Sequence, residues 1–159
     1  VDQKPFDGKV DYDYIMWIDS DIIFKPEQFF KLLDHEKDVV SGMYMMSDNI
    51  KYATVETMDE EFFIQNMHYQ FLQREDVKHK NKKLFKVDYT GMGWMLVKKG
   101  VIEKMKYPWF YPRKKEWKKR GWSEFVSEDV EFCHRIHEVG HNIWVDPKII
   151  VGHEKMVVM

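Results

Sequence analysis

Cysteine is almost missing: Cys133 is the single one in 159 residues. No internal disulfide can form, and a Cys-rich zinc site is excluded. A large excess of one charge is missing too. The chain holds 25 Lys and Arg against 27 Asp and Glu, a formal net charge of -2. That balance argues against a general nucleic-acid binder and against a disordered charged tail. No apolar run reaches the length that spans a bilayer, and no signal pattern opens the sequence at Val1. The expectation is a protein without a transmembrane segment, with a cytoplasmic location favoured. Repeats and low-complexity tracts are absent as well.

What is present is core material. The chain is 44% hydrophobic and 16% aromatic. That suits one compact domain over residues 1–159. Residues 12–19, "YDYIMWID", read as a buried strand, and "IIF" (22–24) as a second, short one. Pro26 fits the first position of a helix whose apolar face holds Phe29, Phe30, Leu32 and Leu33. "DVVSGMYMM" (38–46) is the next strand, so strand, helix and strand suggest a βαβ unit in a parallel sheet. Residues 51–56 suit a strand, and 60–75 suit either helix or extended chain. "LFKVDYT" (84–90) and "WMLVKK" (94–99) read as one strand interrupted by "GMG", followed by a short helix over 100–106. Residues 107–125 read as an aromatic, basic loop or lid. The spacing of Phe132, Ile136 and Val139 predicts a helix over 127–140, with Ser127 as N-cap and Gly140 past its end. "NIWVDPKIIVGHE" closes the fold with one or two strands.

Five features carry candidate chemistry. Asp19 and Asp21 form a D-x-D where an oily strand leaves the core. In open α/β sheets ligands bind at that edge. Paired carboxylates need a cation or donors beside them, and hard oxygen ligands suit Mg²⁺, Mn²⁺ or Ca²⁺. A turn or a cap for the helix at Pro26 is the plainer reading. Asp11 and Asp13 match the same pattern in a polar stretch, where solvation explains them. Gly91 and Gly93 interrupt an apolar run, which marks either a bulge or the close approach of a ligand to the backbone. Glu128 and Asp129 open a helix, where they either complement its dipole or present a general base to a cleft. His153 follows "KIIVG", another apolar run, and gains interest only if it lies near Asp21. His134, His137 and His141 are better read as exposed helix residues than as zinc ligands. Finally, "RKKEWKKR" (113–120) carries a local charge of +5 among tryptophans. It suits a solvated lid, a sugar or phosphate contact, or single-stranded nucleic acid.

"YIMWIDSDIIF", then "VDYTGMGWMLVKKGVIEKM", then "SEDVEFCHRIHEVGHNIWVDPKIIVGHEK" resembles, in that order, a GT-A fold glycosyltransferase of the family-2-like type. The resemblance runs from about residue 11 to 155 and implies a three-layer α/β sheet with flanking helices. It implies that Asp21 binds Mn²⁺ or Mg²⁺, and that Asp19 contacts the ribose or the metal's water shell. Gly91, Met92, Gly93 and Trp94 would line the donor and acceptor pocket. Asp129 would be the base, assisted by Glu128, and His153 would complete the metal shell. The loop over 107–125 would close over substrates. Only eighteen residues precede Asp19. The family's N-terminal nucleotide-binding half normally stands before the D-x-D, so the expectation is the C-terminal portion of a GT-A domain.

The implied reaction moves a sugar from a UDP- or GDP-sugar to a saccharide or other hydroxyl acceptor. Negative charge builds on the departing diphosphate, which a divalent cation stabilises, while a carboxylate deprotonates the acceptor. Two alternatives stay open: a non-catalytic sugar- or nucleotide-binding remnant of the fold, and an RNA-contacting domain acting through residues 107–125. Nothing outside that loop supports nucleic acid.

Overall fold

The computed structural model describes residues 3–80, 83–117 and 121–154. In chain order the elements are β1 (Tyr14–Ile18), β2 (Ile22–Ile23), α1 (Pro26–Leu33), β3 (Val39–Met43), β4 (Thr54–Val55), α2 (Glu60–Asn66) and α3 (Arg74–Lys78). Then follow β5 (Phe85–Val87), β6 (Tyr89–Thr90), β7 (Trp94–Lys98), β8 (Arg113–Trp117), β9 (Trp122–Val126), α4 (Glu128–Glu138), β10 (Ile143–Ile150) and β11 (Gly152–His153).

Five strands form the main sheet in the order β1-β7-β3-β10-β5. The expected parallel βαβ unit is modified. β1 and β3 run the same way, but β7 lies between them, antiparallel to both. β10 pairs parallel to β3, and β5 antiparallel to β10. The sheet is therefore mixed. Residues 44–93 separate β3 from β7, which is ample chain for β7 to return and insert between β1 and β3.

Helices cover both faces. Strand residues alternate between faces, so neighbours serve opposite cores. Val40, Leu96 and Ile149 pack with Leu32 of α1. Val39, Met95, Val97 and Ile143 pack with Phe132, Cys133 and Ile136 of α4. Pro26 opens α1 as its spacing predicts, and Gly140 follows α4 with a φ of +87°. Ser127 takes the N-cap position of α4 but makes no side-chain capping bond.

Four local expectations change. Residues 84–90 are two strands, because β5 joins the main sheet while β6 pairs with β4. The candidate strand over 51–56 shortens to Thr54–Val55. The ambiguous stretch 60–75 is helix α2 to Asn66, ended by Met67 at a φ of 61°, then non-helical chain up to the start of α3 at Arg74. The expected loop over 107–125 contains an antiparallel hairpin, β8 with β9. Residues 118–120, which supply half of its predicted positive charge, lie outside the described residues.

Strand directions position the site. β1, β3 and β10 all end on one edge of the main sheet, and antiparallel β7 begins there. Asp19 therefore follows β1, Tyr44 follows β3 and Gly93 precedes β7 on that edge. α4 leads antiparallel into β10, which brings its N-terminal Glu128 and Asp129 to the same side. Among the described residues, no helix is long and apolar enough to cross a membrane.

Candidate metal and diphosphate site

A small ribbon joins the two ends of the sequence pattern. β11 pairs antiparallel with β2, with His153 opposite Ile22. The Glu154 amide donates to the Asp21 carbonyl at 2.8 Å. This pairing sets His153 Nε2 3.3 Å from Asp21 Oδ2, with the imidazole largely buried. His153 Nδ1 lies 2.7 Å from the Met45 carbonyl, which accepts its N–H. That bond fixes the tautomer. Nε2 then presents a lone pair to a cation or, in the imidazolium, a second N–H to Asp21.

The other half of the site is built on the glycines. The Asp19 amide donates to the Gly93 carbonyl at 3.1 Å, and the Ile22 amide to the Asp19 carbonyl at 3.1 Å. A turn is thus closed around the D-x-D. The Gly93 amide donates to Tyr44 Oη at 3.1 Å. A Cβ on Gly91 would stand 2.1 Å from Tyr44 Oη, and one on Gly93 would stand 2.9 Å from Asp19 Oδ2. Both glycines are required by close approach, but the expected ligand is not what approaches them: the neighbours are the Tyr44 phenol and the Asp19 carboxylate.

Asp129 completes the acidic set. Burial, ahead of the charges of Glu128 and Asp19, holds its carboxyl above the ordinary aspartate range. It stands at the positive end of α4, which favours the ionised form by roughly 0.3–1 kcal/mol. Burial outweighs that here. Glu128 is exposed and Asp129 half-buried. The same acids surround Tyr44. Burial first, then the charges of Asp19, Asp129 and Asp21, pushes its phenol up to about 12. The Tyr44 ring also lies edge-on to the His153 imidazole, with centroids 5.1 Å apart.

The sequence-predicted residues therefore divide. Asp21 and His153 meet directly. Asp19 and Gly93 touch, and Asp129 feels the charge of Asp19. Met92 is half-buried against the core on the α4 side. Trp94 is fully buried, under Phe24 at a centroid distance of 4.4 Å, so it supports the edge from within. Tyr44 and the Met45 carbonyl are positions of the candidate site that sequence reading missed. They stand at the end of an apolar strand, where nothing in the pattern separates a site aromatic from a core one.

Asp21 and His153 fit a hard divalent cation in part. Mg²⁺ bonds of about 2.0–2.1 Å at right angles put neighbouring donors roughly 3 Å apart, close to the observed pair. Among the described residues, no group of three or more His, Cys, Asp and Glu is arranged to hold a metal. Two protein donors suit a cation whose other ligands are waters and substrate phosphates, the usual arrangement for Mg²⁺.

The remaining histidines diverge. His134 Nε2 lies 3.1 Å from Met58 Sδ, and His141 Nδ1 2.8 Å from Asp38 Oδ2. His137 lies against the Asp88 and His141 carbonyls. Cys133 is buried, its thiol pushed up to about 12 chiefly by burial. The hairpin's described cations are also engaged. Arg113 pairs with Glu131 at 2.8 Å and Glu138 at 3.0 Å, Lys114 with Glu116 at 3.1 Å, and Lys115 with Glu60 at 2.7 Å.

No protein-family profile matches the chain, and no curated protein does. Among solved structures it is similar to one described as the crystal structure of A197 from STIV. The superposition has a TM-score of 0.48 at 18% sequence identity, covering 93% of this chain and 69% of that one.

Proposed function

We propose that the chain is the metal- and diphosphate-binding portion of a GT-A glycosyltransferase, which moves a sugar from a nucleotide sugar to an acceptor hydroxyl. The observation that supports this most is the meeting of His153 Nε2 with Asp21 Oδ2 at 3.3 Å across 131 intervening residues. A histidine with its other nitrogen held by a carbonyl is the form that ligates a metal.

In this reading Asp21 and His153 hold Mn²⁺ or Mg²⁺. The cation supplies charge stabilisation for the diphosphate leaving group. Asp19, held by Gly93, contacts the ribose or the metal's water shell. Asp129 accepts the proton of the attacking hydroxyl, and the N-terminus of α4 favours the negative charge gathering in front of it. Partial burial suits Asp129 to that work, because it raises the basicity of the carboxylate.

Titration calorimetry with UDP and with GDP, in Mn²⁺ and then in EDTA, tests the reading. Binding of one nucleotide is expected in Mn²⁺ alone, and Asp21→Ala is expected to remove it. Equal binding by wild type and Asp21→Ala contradicts the assignment. Metal-dependent binding without hydrolysis or transfer of any UDP- or GDP-sugar favours the non-catalytic alternative. Binding of single-stranded RNA that falls steeply with salt and ignores EDTA favours the third.

A further inference from the structure

Residues 44 and 45 touch both halves of the site. Tyr44 Oη accepts the Gly93 N–H, and the Gly93 carbonyl in turn accepts the Asp19 N–H. The Tyr44 ring flanks His153, and the Met45 carbonyl takes the His153 Nδ1–H. The segment is itself anchored: the Tyr44 carbonyl accepts the Ala53 amide at 3.1 Å, and Met45 is bridged to Tyr52. Only 7% of Tyr44 is exposed. Gly91 leaves room for its hydroxyl, since any Cβ there would overlap it.

We propose that Tyr44 is a positioning residue with two separable duties: its hydroxyl sets Asp19 through Gly93, and its ring sets the His153 imidazole against Asp21. The inference rests on the nucleotide–metal reading above. It assigns the hydroxyl to the nucleotide side and the ring to the metal side. Without the hydroxyl, the Gly93 amide loses its acceptor and the bridge that carries Asp19 loosens. Without the ring, His153 keeps its bond to Met45 but loses the wall that fixes its rotation. The proton on Tyr44 Oη points away from Gly93, because that N–H already occupies one lone pair, so the phenol acts as acceptor to the bridge.

Two substitutions separate the duties. Tyr44→Phe keeps the ring and removes the hydroxyl. Tyr44→Leu removes both. Mn²⁺ affinity is read by electron paramagnetic resonance, and UDP affinity in saturating Mn²⁺ by calorimetry. Tyr44→Phe is expected to weaken UDP by about tenfold while Mn²⁺ affinity stays within about threefold. Tyr44→Leu is expected to weaken both by about tenfold or more. A residue that merely fills space would shift the unfolding temperature and leave this split unseen. A Cβ on Gly91 would press on both Tyr44 Oη and Tyr44 Cζ, so Gly91→Ala moves hydroxyl and ring together and is expected to copy Tyr44→Leu. It stands in for Tyr44→Leu if that variant does not fold, and wild-type affinities in it overturn the inference if Tyr44→Phe does not fold. Wild-type affinities in folded Tyr44→Phe, or equal losses of Mn²⁺ and UDP there, overturn the inference while leaving the function intact. A wild-type chain that binds neither Mn²⁺ nor UDP overturns both, and the two failures are thereby distinct.

Discussion

At the scale of single residues, Asp129 carries a cost that pH reveals. Its folded carboxyl titrates above the ordinary range, through burial first and then the charges of Glu128 and Asp19. In the unfolded chain it ionises near the ordinary value of about 3.9. Between the two values the native state holds the extra proton, so stability falls as pH rises through that window. Asp129→Asn removes the effect. Without metal, denaturant unfolding should find the variant equal to wild type near about pH 3.5 and more stable near about pH 7. A variant no more stable than wild type at neutral pH contradicts the assigned environment. The sequence already contained much of this site. Asp19, Asp21, Gly93 and His153 stand out because polar or glycine residues interrupt or end oily runs, and Asp129 because it opens a helix. Tyr44 does not, since an aromatic at the end of a strand is ordinary core chemistry. Trp94 stood beside the glycines in sequence, yet its side chain turns into the core between the sheet and α1.

At the scale of elements, the β8–β9 hairpin shows why the basic stretch misled. Its lysines and arginine read as a solvated or ligand-binding loop, whereas Arg113 and Lys115 pair with carboxylates on other elements and Lys114 with Glu116 of its own strand. Glu131, Glu138 and Glu60 lie outside the hairpin, so no local pattern announces them. Arg113 is the strap. It reaches Glu131, which is fully buried and whose carboxyl burial pushes upward against the pull of Arg113. It also reaches Glu138, whose bond leads the causes that strengthen its own hold on the proton. Removing the arginine takes the nearest cation from a buried carboxylate. Arg113→Met should destabilise the fold by at most about 3 kcal/mol, since the guanidinium is partly solvated. Arg113→Met combined with Glu131→Gln should recover most of that loss in chemical denaturation. No recovery in the double variant would place the cost elsewhere than in Glu131. The helices were more legible. Pro26 and Gly140 mark ends that depend on backbone geometry alone, and α1 and α4 keep them. Strand pairing was less so: β7 inserting between β1 and β3 depends on contacts across the whole chain.

At the scale of the molecule, one sheet edge gathers residues from the beginning, middle and end of the chain. Parallel β1, β3 and β10 deliver Asp19, Tyr44 and the segment leading to His153, while antiparallel β7 delivers Gly93 from the other direction. The ribbon of β2 with β11 then closes the distance between Asp21 and His153. A mixed sheet serves this purpose because strands of both directions can end and begin at one place. The central claim is that this edge holds a divalent cation together with a nucleotide diphosphate. Anomalous scattering at the manganese edge, from crystals of the chain grown with Mn²⁺ and UDP, tests it most directly. The account predicts a peak within bonding distance of both Asp21 Oδ2 and His153 Nε2, with diphosphate oxygens on its open side. Ordered UDP with manganese bound away from that pair, or no manganese at this edge at all, would contradict it.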